Sequence, residues 1–268
     1  MAIASLPMYD LPEARPAIDA LWRGIAGHMA RAGVTGVPEA LLHDRPIKAT
    51  WGHPDLFFSQ ACGYDVKHGF ADALRVLVTP CHDAFGCDGP SYSSLLVVPE
   101  ASTARDIEDL RDRVCVINGR QSHSGMSALR ATVAPLSRNG CFFAEVKESG
   151  AHIESLAALR RGDADIAAVD CITFALVGRY RPAALDGVRV LGRTANAVSP
   201  PYVTRADTPD DVAERMRAAL VEAFEDVDLT AAREAIFLSG AEVLADDAYD
   251  NIVEFVHLAE RHGYAEIA

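Results

Sequence analysis

Short apolar runs alternate along the chain with stretches whose apolar residues recur every three or four positions. The runs at 2–6, 55–59, 75–79, 93–98, 113–117, 142–146, 165–169 and 188–191 predict strands. Between them, 13–32 places Ile18, Leu21, Trp22, Ile25 and Met29 on one helical stripe, and 124–138, 152–161 and 170–180 also read as helices. Arg160 and Arg161 followed by Gly162 form a helix stop, with cations at the negative end of the dipole. Beyond Tyr202 the pattern predicts helices at 209–225, 231–238 and 248–262 with little strand between them. This order predicts an α/β protein of two lobes, each a mostly parallel sheet flanked by helices, with a ligand cleft between the lobes. The first lobe is 1–94 plus 200–268 and the second, inserted, is 95–199. The chain is expected to cross near 93–98 and 194–201, the second crossing carrying the hinge-like Ser199-Pro200-Pro201.

Composition narrows the partners. Half the residues are hydrophobic, 24% are charged, and the formal net charge is −13. So acidic a chain lacks the electrostatic footprint for nucleic acid and is repelled by anionic lipid. No apolar run approaches the ~20 residues that span a bilayer, so no membrane insertion is expected. The apolar opening lacks a preceding Lys or Arg and is followed at once by Asp10 and Glu13, so it reads as a buried first strand rather than a secretory leader. That predicts a cytoplasmic location, with a periplasmic one as the alternative if a leader was trimmed. Six cysteines occur without a CxxC pair, which gives zinc or thioredoxin-like chemistry no support. Cys115 and Cys171 read as small buried hydrophobes. Cys81 and Cys87 share a loop and would bridge only in an oxidising compartment; reduced thiols are the expectation.

The stretch RVCVINGRQSHSGMSALR, residues 113–130, carries the most chemistry. A strand runs into a polar loop, and a helix opens among Ser122, His123, Ser124, Gly125 and Ser127. The first N–H groups of a helix lack intrahelical partners and carry partial positive charge, so such a start favours an anion. Two further helix starts follow strands, at His152 and at Asp170. In a parallel sheet all strand-to-helix turns lie along one edge, so Ser122, Ser124, His152 and Asp170 are expected to converge. The first lobe offers Tyr9, Ser59, Gln60 and Tyr64 at its own strand ends, and Tyr92 and Ser93 stand near the crossing. Each has a purely local alternative: the serines and Asp170 are good N-caps, His152 an ordinary polar residue at a helix start, and the tyrosines packing residues. A carboxylate at Asp170 beside serines and His152 suits a dipolar or partly protonated ligand.

The order of these turns, the SHSG at a helix start, GAHIESLAALRRGDADIAAVD and the strand-end SQACGY resemble the phosphonate/phosphate substrate-binding family of ABC importers. The resemblance runs from SLPMYD to about PYVTR and is loosest in the C-terminal helices. It implies a type II periplasmic binding fold and a small anionic or zwitterionic ligand such as a phosphonate, phosphate or phosphate ester. It further implies an ABC permease as partner, with neither cofactor nor metal. In that family the anionic group rests on the serine-rich helix start and on a histidine some thirty residues later, which Ser122, His123, Ser124 and His152 match. An acidic residue near Asp170, with Tyr64 or Tyr92, would meet a ligand amino group. The return segment 194–202 lacks the acidic residue that aminophosphonate binders tend to carry.

The expected function is therefore a solute-binding protein that closes on a small anion for ABC-type uptake or sensing and performs no chemistry. The alternative is a small-molecule enzyme on the same scaffold, drawing nucleophile and base from Cys62, Cys87 or Cys171 and His82, His123 or His152. Against an enzyme stands the lack of GxSxG, HExxH, a Walker loop or GxGxxG after the first strand. A stand-alone sensor would need a separate partner.

Overall fold

A computed structural model describes residues 2–268 apart from the side chain of Asp246. The chain forms two compact units. One comprises the residues up to Asp83, Asp88–Pro90 and Val198–Ala248; the other comprises Ala84–Cys87, Ser91–Ala197 and Tyr249–Ala268.

The first unit is built on a five-stranded sheet in the order Ile3–Ser5, Leu56–Gln60, Tyr202–Arg205, Leu74–His82, Leu238–Glu242. Ile3–Ser5 and Leu56–Gln60 pair in parallel. Tyr202–Arg205 lies antiparallel between its two neighbours, and Leu238–Glu242 is antiparallel to Leu74–His82. Helix Arg15–Arg31 buries the stripe Ile18, Leu21, Trp22, Ile25 and Met29, and Asp210–Glu225 packs alongside it. Trp22, Phe58, Tyr202 and Phe224 stack in succession, with ring centroids 5.2, 5.3 and 5.8 Å apart. Such pairs add about 0.5–1.5 kcal/mol each beyond the burial of their area.

The second unit's sheet runs Val188–Arg193, Ser94–Pro99, Ile166–Asp170, Val114–Ile117, Glu145–Glu148. Val114–Ile117 pairs in parallel with both of its neighbours, whereas Ser94–Pro99 is antiparallel to both of its own. Both sheets are thus mixed rather than mostly parallel as the sequence pattern predicts, because the strands that enter after a crossing between units and the late strand Leu238–Glu242 pair antiparallel. In each, the strand that follows a passage of the chain from the other unit, Ser94–Pro99 or Tyr202–Arg205, runs against the strands that feed helices.

Three further features depart from the sequence expectations. The last twenty residues belong to the second unit rather than the first. Ala259, Tyr264 and Ile267 join its core with Leu129, Val133 and Phe142. The Ala268 carbonyl there accepts the Phe142 and Phe143 N–H groups at 2.8 and 3.0 Å. Secondly, that backbone pairing takes Phe142 and Phe143 out of the predicted strand, which begins only at Glu145. Thirdly, the region beyond Tyr202 contributes two strands to the first sheet, although it reads as helical.

Candidate functional site

Strand Val114–Ile117 leads through Asn118 to Ser122, whose extended backbone (φ −91°, ψ 131°) caps the following turn. The Ser122 hydroxyl oxygen accepts the Gly125 N–H at 3.1 Å. Its carbonyl accepts the Ser127 N–H at 3.0 Å, which widens His123–Ser127 into a π-turn before helix Ala128–Val133. Single π-turns of this kind occur frequently at functional sites. Gly125 is required by close approach. A Cβ there would lie 1.9 Å from Asn118 Oδ1 and 3.1 Å from His152 Cε1.

His152 arrives from the parallel neighbour Glu145–Glu148 and opens helix His152–Arg161. Ser149 pins the intervening turn by donating to the Ile117 and Ala151 carbonyls, at 3.2 and 3.0 Å, while its oxygen lies 2.7 Å from Ser155 Oγ. The result is a polar cluster assembled from two strand-to-helix turns. His152 Nε2 is 2.9 Å from Ser124 Oγ and 3.4 Å from Asn118 Nδ2. Asn118 Oδ1 and Ser127 Oγ are buried and make no hydrogen bond among the described residues. Unsatisfied buried polar atoms are uncommon in folded proteins, and here they leave hydrogen-bonding capacity beside the Ser124–His152 contact. Burial lowers His152 to about 4, the Ala168 backbone opposing the shift, so its imidazole is neutral at neutral pH. The donor and acceptor roles in the Ser124–His152 contact then follow the tautomer.

The other expected residues of this unit have mostly structural surroundings. His123 is 1% exposed, its ring set edge-on to Phe255 at 4.8 Å and 6.2 Å from Tyr92, and burial lowers it to about 3. Ser93 donates its hydroxyl to the Gly86 carbonyl at 2.9 Å. Asp170 ends strand Ile166–Asp170 and caps helix Cys171–Tyr180, its Oδ1 accepting the Ile172 and Thr173 N–H groups at 2.8 and 2.9 Å. Ser122, Ser124, Gly125 and His152 are therefore brought together. Asn118 joins them, and only its position at a strand end could have announced it; Ser127, noted among the serines, supplies an unpartnered hydroxyl.

In the first unit the structure commits the polar candidates locally. Ser59 is fully buried and donates to the Gln60 carbonyl at 3.4 Å. Gln60 donates from Nε2 to the Pro200 carbonyl at 3.1 Å, while its own carbonyl accepts Trp51 Nε1. These two are sheet-edge packing rather than displayed donors. Tyr9 is buried edge-on to His82, with centroids 5.7 Å apart, and Tyr64 lies against His68 at 4.3 Å and packs on the Trp51–Val66 cluster. A pocket of about 520 Å³ lies elsewhere on this unit, lined by Trp51, His53, Asp72 and Arg205 among others. Its Arg205 is engaged by Asp207 and the Pro54 carbonyl. The cysteines are all free thiols. Cys81 approaches Glu242 Oε1 (3.7 Å) while Cys87 lies against Cys171, so Cys81 and Cys87, though in one loop, are not each other's neighbours.

A family model described as the periplasmic substrate-binding protein of the phosphonate ABC transporter matches residues 55–249. Among solved structures, a binding-protein component of an ABC phosphonate transporter from Pseudomonas aeruginosa is 13% identical at a TM-score of 0.76, covering 98% of this chain and 87% of its own. A Xanthomonas citri protein bound to ATP gives 14% and 0.72, with 99% of both chains covered. PhnD1 from Prochlorococcus marinus in complex with methylphosphonate gives 12% and 0.70, with 97% of both covered. At such identities the likeness shows the fold alone. The search of curated proteins finds no match. No helix among the described residues is long and apolar enough to cross a membrane. The matched family is periplasmic, which fits the periplasmic alternative and gives the cytoplasmic expectation no support.

Proposed function

Because the chain belongs to the phosphonate ABC-transporter family of periplasmic substrate-binding proteins, it is a solute-binding protein, and we propose that it takes a phosphonate, phosphate or phosphate-ester anion at the Ser122–Ser127 turn. The observation that carries this reading is the buried 2.9 Å contact between Ser124 and His152, set among unpartnered polar atoms where glycine keeps the turn open. An anion accepting the Ser124 hydroxyl proton selects the tautomer in which His152 Nε2–H donates to Ser124 Oγ. Ser127, and the turn's N–H groups that lack partners, add donors without adding charge. Neutral donors in a desolvated setting suit an anion well, since each hydrogen bond to it is charge-assisted. Asp170, already a cap, favours ligands with a cationic end. PhnD1, crystallised with methylphosphonate, makes that compound the first probe.

The same contact differs from a hydrolase dyad. A serine nucleophile needs a histidine oriented by a third group, usually a carboxylate, and His152 has the Ala168 backbone there instead. Binding without chemistry is the simpler reading. We place the working protein in the periplasm, delivering its ligand to an ABC permease.

A thermal-shift panel of methylphosphonate, phosphate, aminoethylphosphonate, sulfate and citrate tests the proposal. The phosphorus anions are expected to raise Tm by mass action, with the other two inert. No shift with any phosphorus anion at millimolar concentration would overturn it.

A further inference from the structure

The geometry points to a second chemical site in the same unit: we propose that Cys87 and Cys171 are a redox-active pair that a disulfide oxidant converts to an intrachain disulfide. Their sulfurs are 3.4 Å apart, although 84 residues separate them in the chain. Both belong to the second unit. Cys87 is partly exposed, and Cys171 is 1% exposed at the first position of helix Cys171–Tyr180, directly after the Asp170 cap.

The approach is built into the backbone. Gly86, at φ +101°, passes so close that a Cβ on it would meet Cys171 Cβ and Ser93 Oγ at 2.9 Å each. Only glycine combines that dihedral with that space. Ser93 then ties the two cysteine segments together. Its N–H and its hydroxyl both donate to the Gly86 carbonyl, at 2.9 Å each, and its own carbonyl accepts the Cys171 N–H at 3.2 Å. The Cys87 N–H donates to the Ala84 carbonyl at 2.9 Å, which closes the turn that presents the sulfur.

The chemistry follows from the difference in exposure. The Cys87 thiolate attacks one sulfur of the oxidant RS–SR, a small-molecule or protein disulfide, and expels RS⁻, leaving a Cys87–S–S–R mixed disulfide. Cys171 then loses its proton and attacks the Cys87 sulfur, expelling the second RS⁻. The two thiol protons end on the two RSH products. The pair is oxidised by two electrons and RS–SR is reduced by two. The Cys87 contact, burial and the adjacent Asp170 carboxylate all hold the Cys171 thiol protonated, which assigns the first attack to Cys87. The periplasmic reading supplies the setting, because disulfides form and persist in that compartment. The resulting bond would fasten the 84–87 segment to the helix start beside Asp170.

The test treats the purified full chain with oxidised glutathione, then denatures it, alkylates it with N-ethylmaleimide and digests it without reductant for mass spectrometry. The reduced protein is expected to take six adducts, one per cysteine, and the oxidised protein to lose those on Cys87 and Cys171, with exposed Cys141 scored separately for glutathione. A linked peptide joining Cys87 to Cys171 is expected, and dithiothreitol should remove it. Cys87→Ser, at a partly exposed position that disturbs little packing, should keep the Cys171 adduct with and without oxidant. Maleimide adducts retained on Cys87 and Cys171 after oxidation, a lasting glutathione adduct on Cys87, or a link from Cys87 to any other cysteine would overturn the proposal. Anion binding is scored separately on the same samples, so failure of one proposal leaves the other's result readable.

Discussion

Ser124 and His152 stand 28 residues apart in the chain, yet their side chains meet at 2.9 Å because parallel neighbours deliver both to the same edge of one sheet. The serine comes off strand Val114–Ile117 and the histidine off Glu145–Glu148, each at the first turn of the helix that follows. Neither residue needs the other for its helix to form, since Ser122 caps one and the Ser149 turn precedes the other. Their meeting is what a binding role explains.

Ser124→Ala and His152→Ala should each weaken methylphosphonate or phosphate binding by about 1–3 kcal/mol, roughly 5- to 150-fold, the usual cost of losing a hydrogen bond to a charged group. Isothermal titration measures this. Unchanged affinity in both variants would place the site elsewhere. The double variant should fall short of the sum, because the two residues act through one contact.

Gly125→Ala should abolish binding and cost about 1–3 kcal/mol of stability, since its Cβ would sit 1.9 Å from Asn118 Oδ1 and force the side chain or the turn to move. Chemical denaturation and titration of the same variant check both effects. Wild-type affinity would mean that the turn is not the binding element.

Asp170→Asn separates capping from recognition. Asparagine caps about as well as aspartate, so folding stability should change by less than about 0.5 kcal/mol. If the carboxylate also meets a cationic end, affinity for aminoethylphosphonate should drop while affinity for methylphosphonate holds. Equal losses for both ligands would leave Asp170 as a cap only.

Stability should fall on acidification before the carboxylates titrate. His82 and His123 lie at about 3 and His152 at about 4 when folded, against an ordinary 6.5, because burial disfavours the charged imidazolium. A histidine whose folded value is depressed contributes fully above the unfolded value, and that contribution is lost as pH falls from about 6.5 toward 4. At pH 5 each costs about 2 kcal/mol. Carboxylates held down by their partners, such as exposed Asp44 beside Arg15 and half-buried Asp226 beside His28, add loss only below about pH 4. Urea unfolding at pH 7.5 and pH 5.0 checks the sign, and His82→Gln should remove about one third of the difference. A flat profile across this range would contradict the buried neutral histidines.

Much of the architecture was legible because it is written locally. Helix His152–Arg161 has the predicted limits since Gly162 takes φ +76° and Arg160 and Arg161 fill the last turn. The five apolar positions of the first long helix are the ones it buries. What escaped depends on distant pairing. Leu238–Glu242 reads LSGAE, with no alternation and a glycine at its centre, and becomes a strand only because Leu74–His82 offers an edge to pair with. Tyr202–Arg205 is four residues long and adjoins a proline pair, so a loop is the natural local reading. The last twenty residues carry no signal of which unit they join; Tyr264, Ile267 and the Ala268 carbonyl find the second core through packing and backbone bonds to Phe142 and Phe143. The site divides the same way. Serines, glycine and histidine at helix starts were visible, whereas the engagement of Ser59 with Gln60 and of Gln60 with Pro200 was not, because those backbone partners exist only in the folded sheet.

The most direct measurement is a methylphosphonate titration of isotopically labelled protein, followed through the backbone amide resonances of residues 118–127 and the His152 ring. Saturable one-site shifts are expected, largest at the Ser124 and Gly125 amides, with the His152 Nε2 signal moving in step. Shifts that leave these resonances still while others saturate would contradict binding at the serine turn.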